Sequence, residues 1–213
     1  MNIDNQNEYW DRVADKKEFT HPLDLEIVKK HLEKDHKIVD YGCGYGRVVY
    51  QLTNQGYNNI IGFDTSSELI KRGNPNNNLP IYHIDSFDKL PLENKEVDSI
   101  ILFAVLTCIP SNEGQKDLIK LLYSKLRKGG ILYLSDYYLQ KNSKEMERYE
   151  YLNGDKKNYG VFTLDEGVTF RHHTREWIKE LLENFEFIEE KDIEVLTMNK
   201  HKAKGFQIVM KKN

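Results

Sequence analysis

Five short apolar runs, separated by stretches of helical periodicity, constrain this chain more than any other feature. They read as strands at about 37–41, 59–63, 80–84, 97–103 and 130–136. Two of them, "VDSIILFAVL" and "GILYLSDYY", are apolar nearly throughout, as strands covered on both faces are. The segments between them carry helix patterns with helix punctuation. "DLEIVKKHL" precedes the first run, and "RVVYQLTNQ" follows it and stops near Gly56. "SSELIKRG" starts on Ser and stops on Gly, and "EGQKDLIKLLYSKLRKGG" ends in basic residues and glycines. Strands alternating with helices predict a parallel sheet with crossover helices.

Beyond residue 136 the alternation lapses into a long, tyrosine-rich stretch, read as an insertion holding a helix and a hairpin. "TREWIKELLENF" then predicts a helix capped by Thr174, and "EFIEEKDIEVLT" and "KGFQIVMKK" predict a closing antiparallel strand pair. A chain of 213 residues fits one domain. With 31 basic and 34 acidic side chains it shows no charge excess suited to nucleic acid or an acidic membrane face. No apolar run approaches the roughly 20 residues of a membrane span. The polar N-terminus lacks a signal-peptide core, so a cytoplasmic location is expected, with Cys43 and Cys108 as free thiols.

Glycine loses more chain entropy on folding than any other residue, so the cluster in "VDYGCGYGRV" needs a cause. Gly42, Gly44 and Gly46 follow the first strand and open a helix, where a tight turn or a ligand touching backbone is expected. The dinucleotide pattern G-x-G-x-x-G requires Gly at position 47, and this chain has Arg47, which argues against an NAD-dependent reductase. Asp64, at the end of the second strand, lies at the offset from which an acid accepts from both ribose hydroxyls; otherwise it caps the next helix, a role Thr65 or Ser66 can also fill. Asp85 and Ser86 end the third strand, where an Asp meets an adenine amino group and Phe87 covers the ring, or where the Asp serves a turn.

With "VDYGCGYGR", "GFDTS", "HIDSFDKLP", "VDSIILFAVLTCIP" and "LRKGGILYLSDY" in place, the chain resembles the class I S-adenosylmethionine-dependent methyltransferases, closely over residues 37–136 and more loosely over the last helix and strand pair. The resemblance implies an α/β, three-layer Rossmann-like fold. Its seven-stranded sheet is mostly parallel with an antiparallel final strand, has helices on both faces and carries an insertion after strand five. Residues 1–36 would form an arm and helix over the cofactor, 37–136 the cofactor core, 137–173 the acceptor-side insertion, and 174–213 the final helix and strand pair. The cofactor would be S-adenosylmethionine, leaving as S-adenosylhomocysteine, with no metal. The implied cofactor set is Asp40, Gly42, Cys43 and Gly44 at the turn, Asp64 and Thr65 at the ribose, and Asp85, Ser86 and Phe87 at the adenine. Phe103, Ala104 and Leu106 would line the floor, and Tyr9, Trp10 and Thr20 would reach over from the arm. Tyr41 stands where small aliphatic residues are more usual, which predicts a narrowed pocket.

The acceptor is expected to be a small molecule methylated on oxygen or nitrogen. Enzymes acting on exocyclic amines of bases carry an Asn/Asp-Pro-Pro-aromatic segment after strand four, where this chain reads "FAVLTC"; carbon methylation of cytosine uses Pro-Cys, whereas Cys108 lies in "TCIP". Methyl transfer from a sulfonium needs proximity and alignment, and an acidic acceptor also needs a base. His172 and His173 are the candidates, either as a base or as surface residues beside a helix cap. Strand alternation sends Val168, Phe170 and His172 to one face and Arg171 and His173 to the other. Tyr137, Tyr138, Tyr159, Phe162 and Arg171 are the acceptor-binding candidates, the aromatics forming either a lid or a satellite apolar cluster. Two other functions share these features: a non-catalytic cofactor-binding protein, and an RNA methyltransferase, against which the balanced charge speaks.

Overall fold

Strand β1 (Ile38–Tyr41) is buried along its whole length because it sits mid-sheet. In the computed structural model, which describes residues 3–76, 78–141 and 146–213, it pairs in parallel with β2 (Ile60–Asp64) and β4 (Val97–Phe103). β3 (Ile81–His83) extends the β2 side and β5 (Leu126–Tyr137) the β4 side, both in parallel. The far edge is the closing pair, β9 (Phe185–Leu196) and β10 (Lys202–Lys212), with β10 antiparallel to both β5 and β9. The order β3-β2-β1-β4-β5-β10-β9 reverses between β1 and β4, and a sheet of this kind opens a crevice at the carboxyl ends of its strands there.

Side chains alternate across β4, sending Ile100 and Leu102 to one face and Ile101 to the other. The first face packs on α5 (Asn112–Lys125) and α6 (Arg175–Leu181), through Leu118, Leu122, Trp177 and Ile178. The second packs on α2 (Leu25–His31) and α3 (Arg47–Asn54), through Ile27, Val28, Val49 and Leu52. Three layers result. The caps follow the sequence: Asp24 accepts from Glu26 and Ile27 N–H, Ser66 from Leu69 N–H at the start of α4 (Ser67–Gly73), and Thr174 from Trp177 N–H.

Two elements depart from expectation. β5 begins at Leu126, directly after α5, rather than near residue 130. Leu126 is fully buried and pairs with Val97 across a bulge, so burial draws the expected helix tail into the sheet; Gly129, at φ 76°, absorbs the irregularity. The insertion forms its own three-stranded sheet, β6 (Glu150–Tyr151), β7 (Tyr159–Thr163) and β8 (Thr169–Arg171). The expected hairpin is β7–β8; residues 142–145, inside the stretch expected to hold a helix as well, lie outside the described residues. A short helix, α1 (Asn7–Val13), joins the insertion through a cluster of Tyr9, Val13, Tyr149, Phe162, Val168 and Phe170. Among the described residues no helix is long and apolar enough to cross a membrane.

Candidate active site

The chain leaves β1 through Gly42, Gly44 and Gly46 at φ 72°, 56° and 78°, a region that favours glycine. Gly42 and Cys43 N–H both donate to Phe63 O (2.8 and 3.0 Å), tying the turn to β2. A Cβ at Gly42 would stand 2.4 Å from Val105 Cγ2, and one at Gly44 only 1.9 Å from Phe19 Cε2. Tight turn and close approach therefore both apply, and part of what approaches is the protein's own arm.

Asp64 closes this turn from β2. One carboxylate oxygen accepts Gly44 N–H (2.7 Å) and the other Ser66 N–H (2.8 Å). The helix cap belongs to Ser66, which frees Asp64 from that role. Burial raises the Asp64 pKa while the backbone donors oppose the shift. Asp40, at 2% exposure, carries a buried Oδ2 with no protein partner, and burial pushes its pKa up to about 7 against the pull of Arg47.

A cavity of about 190 Å³ opens at the carboxyl ends of β1, β2 and β4. It gathers Asp40, Gly42, Cys43, Asp64 and Thr65 on the glycine side, Phe87, Phe103 and Ala104 from the turns after β3 and β4, and Trp10 and Thr20 from the arm. Tyr137, Phe162 and His172 line its far wall. Both thiols, Cys43 and Cys108, are held protonated by burial.

The remaining candidates lie elsewhere. Gly44 sits behind the Phe19 ring. Tyr9 is buried and donates its hydroxyl to Glu166 (2.9 Å). Asp85 is exposed and Ser86 half-buried in the turn after β3, outside the wall, with Ser86 Oγ turned to Asp88. Leu106 is wholly in the core, because the turn after β4 directs it under the sheet edge. Tyr138 faces α6 and β9, donating to Glu190 (2.8 Å) and accepting from Arg175 (3.0 Å). Tyr159 packs on Tyr149 and Tyr151. Tyr41 does not narrow the cavity; its hydroxyl donates to Phe87 O (2.7 Å) and so steadies the turn that carries Phe87.

Alternation in β8 separates the two histidines as expected. His172 and Phe170 face the cavity, whereas Arg171 and His173 point into the protein. Arg171, at 1% exposure, donates to Asn112 Oδ1 (2.7 Å) and Tyr159 O (3.2 Å) and so clamps the insertion to α5. His173, at 0% exposure, holds Tyr137 O through Nδ1 (3.1 Å) and lies 3.0 Å from Gln115 Nε2 through its own Nε2. That sealed position removes His173 from contact with an acceptor. His172 Nδ1 lies 2.6 Å from Tyr149 Oη, and burial keeps this ring neutral well below its ordinary pKa.

The cavity also takes residues that the sequence did not place in the site, Phe19, Arg47 and Arg148 among them, and it holds His21, expected only as a fallback base beside Tyr137 and Tyr138 should His172 and His173 prove to be surface residues. His21 is buried, with Nδ1 3.0 Å from Ser135 Oγ and Nε2 without a partner. Burial, aided by the nearby Arg47 charge, pushes its pKa down to about 3. Arg47 donates to His21 O and leaves a buried Nε unpartnered. "THP" has no periodicity that marks His21; for Arg47 the signal was its place inside the glycine pattern.

A glycine turn at the switch point of this sheet, closed by an acid from β2, is what the resemblance to the class I S-adenosylmethionine-dependent methyltransferases implies. A family profile described as a methyltransferase domain matches residues 12–193, and the chain belongs to that family. A S-adenosylmethionine-dependent methyltransferase from Methanosarcina mazei superposes with a TM-score of 0.78 at 24% identity, over 87% of this chain and 96% of that one. A Burkholderia thailandensis 1,6-didemethyltoxoflavin-N1-methyltransferase, with bound 1,6-didemethyltoxoflavin and S-adenosylhomocysteine, gives a TM-score of 0.63 at 13% identity over 98% of this chain and 80% of that one. An uncharacterised protein of Methanocaldococcus jannaschii is 29% identical over 102 residues, 45% of this chain but only 38% of that protein's length.

Proposed function

We propose that the chain holds S-adenosylmethionine along the glycine turn and passes its methyl group to an oxygen or nitrogen of a small-molecule acceptor in the far half of the cavity. The observation that carries this reading is the unpartnered, buried Asp40 carboxyl oxygen beside the equally unpartnered Arg47 Nε at the cavity's glycine end. An isolated buried carboxyl is costly unless something pairs with it. An α-amino acid moiety offers both complements, an ammonium for Asp40 and a carboxylate for Arg47. Asp64 would accept from ribose hydroxyls, and Phe87 would cover the adenine with Asp85 and Ser86 at the rim. When bound, the cofactor supplies an electrophilic methyl group on sulfonium sulfur. The chain's residues align that group: Ala104 and Phe103 form a floor, Trp10 and Thr20 exclude water from above, and Tyr137, Phe162 and His172 fix the acceptor. His172, neutral and engaged by the Tyr149 hydroxyl through Nδ1, is given an orienting role rather than that of a base. The Burkholderia enzyme, with its small acceptor and spent cofactor in the same fold, supports a small acceptor here.

Calorimetry tests the reading. S-adenosylhomocysteine binds the parent, NAD does not, and Asp40→Asn weakens the first roughly tenfold to a hundredfold, the range of a hydrogen bond to a charged group. An NAD isotherm with none for S-adenosylhomocysteine overturns it.

A further inference from the structure

The cavity half away from the glycine turn is walled by an unbroken arc of rings. Trp10 meets Phe170 at 6.2 Å between centroids, Phe170 meets Phe162 at 6.0 Å, and Phe162 meets His172 at 4.8 Å. His172 stacks on Tyr137 at 5.2 Å with 29° between planes, and Tyr137 meets His21 edge-on at 4.4 Å. All six line the cavity. The arc is braced from behind, since Tyr9 packs edge-on against Trp10 and Tyr149 bonds His172, so its shape exists before a ligand arrives.

The polar side chains of the same cavity include Gln140, Thr107, Arg148 and, from the β9–β10 turn and the first residue of β10, Asn199, His201 and Lys202. Gln140 is used up: its Nε2 donates to Tyr138 O and Lys204 O, and its Oε1 accepts Lys204 N–H. The carboxylates that line the cavity, Asp40 and Asp64, both belong to the glycine side, and the imidazoles of His21 and His172 are neutral. Aromatic walls alone also suit a cation. Here, however, the Arg148 guanidinium already lies over the Phe162 ring at 3.9 Å and itself lines the cavity. The protein's own cation therefore already occupies that ring face, and a ligand cation would have to displace it.

Resting on the methyl-transfer reading above, we propose that the acceptor is a planar hydroxylated aromatic ring that lies against this arc and directs its hydroxyl to His21 Nε2. His21 supplies the lone pair in the tautomer whose Nδ1–H donates to Ser135 Oγ. In the transfer the acceptor oxygen forms the O–CH3 bond as the S–CH3 bond breaks. The sulfonium becomes a neutral thioether, and the hydroxyl proton passes to His21 Nε2 and on to solvent. A weakly basic imidazole suits a proton that becomes strongly acidic only while the new bond forms.

The test uses the full chain loaded with S-adenosylhomocysteine, whose own isotherm is recorded first. 2-Naphthol, cyclohexanol, benzyltrimethylammonium and methyl glucoside are then titrated in turn. 2-Naphthol is expected to bind at least tenfold tighter than the other three. Arg148→Met should narrow its margin over benzyltrimethylammonium at least threefold, with S-adenosylhomocysteine binding as the check on folding. Absence of 2-naphthol binding, equal or tighter binding of any other probe, or an unchanged margin in Arg148→Met overturns the proposal. Failure of S-adenosylhomocysteine to bind the parent strikes the methyl-transfer reading instead.

Discussion

Asp40 shows how one residue ties sequence to function through its charge. Its pKa of about 7 in the free protein lies above that of the unfolded chain, so the unfolded state releases the proton first. The group therefore costs no stability below about pH 4, and the cost grows as pH rises towards 7. A bound ammonium reverses this, because the ionised carboxylate is the form that pairs with it. S-adenosylhomocysteine should bind roughly five- to tenfold more tightly at pH 7.5 than at pH 6, and Asp40→Asn should flatten that dependence in the same calorimetric series. The imidazoles lead to the opposite expectation. His21, at about 3, and His172, far below its ordinary value, stay neutral from pH 6 to 8, so neither leaves a limb in the rate profile there. A limb near 6.5 that vanishes in His172→Gln would restore His172 as a base. That one of the two adjacent histidines faces the cavity was legible from strand alternation; that His21, only a fallback base in the sequence, is fixed in the wall by Ser135 was not, because 114 residues separate the two.

At the scale of elements, the glycine turn separates conformational need from steric need. Gly56 and Gly44 both have positive φ, 83° and 56°, but a Cβ at Gly56 meets nothing within 4 Å whereas one at Gly44 runs into Phe19. Gly56→Ala should cost about 1–2 kcal/mol, the left-handed penalty alone. Gly44→Ala should cost more in urea unfolding, and it should also weaken S-adenosylhomocysteine binding as the arm is pushed off the turn. The turn after β4 depends on a second buried group. Asp136, fully buried with its pKa raised to about 7, accepts Tyr137 N–H (2.7 Å) and Thr107 N–H (3.1 Å), joining the cavity floor to its wall. In Asp136→Asn one of those N–H groups faces an amide NH2, for an expected loss of about 1–3 kcal/mol in the same assay. The strands were legible because each is a short apolar run; the early start of β5 was not, because Leu126 answers to burial against Val97 rather than to its neighbours in sequence.

Across the whole molecule, three separate pieces of chain meet over the cavity at Lys17. Its Nζ pairs with Glu166 of the β7–β8 turn (3.1 Å) and donates to Asn199 of the β9–β10 turn (3.0 Å). Glu166 also accepts from Tyr9 (2.9 Å), and its backbone carbonyl accepts from Arg12 (3.0 Å). Partly exposed ion pairs contribute little to global stability, so this clasp should govern local opening. Lys17→Met should speed amide exchange in residues 164–168 and 197–200 while global unfolding changes by less than about 1 kcal/mol.

The sequence by itself determined what depends on neighbours along the chain. The alternation of runs predicted the parallel sheet, Ser66 and Thr174 the helix starts, and the glycine spacing with Asp64 the turn at the sheet's switch point. These are set by local sterics, by capping and by side-chain period, each operating within a few residues. Only the tertiary structure decided that His173 is sealed, that Leu106 and Tyr138 turn away, and that rings from positions 10, 21, 137, 162, 170 and 172 form one wall. Burial and close packing set those outcomes, and both depend on elements far apart in sequence whose meeting no local pattern encodes.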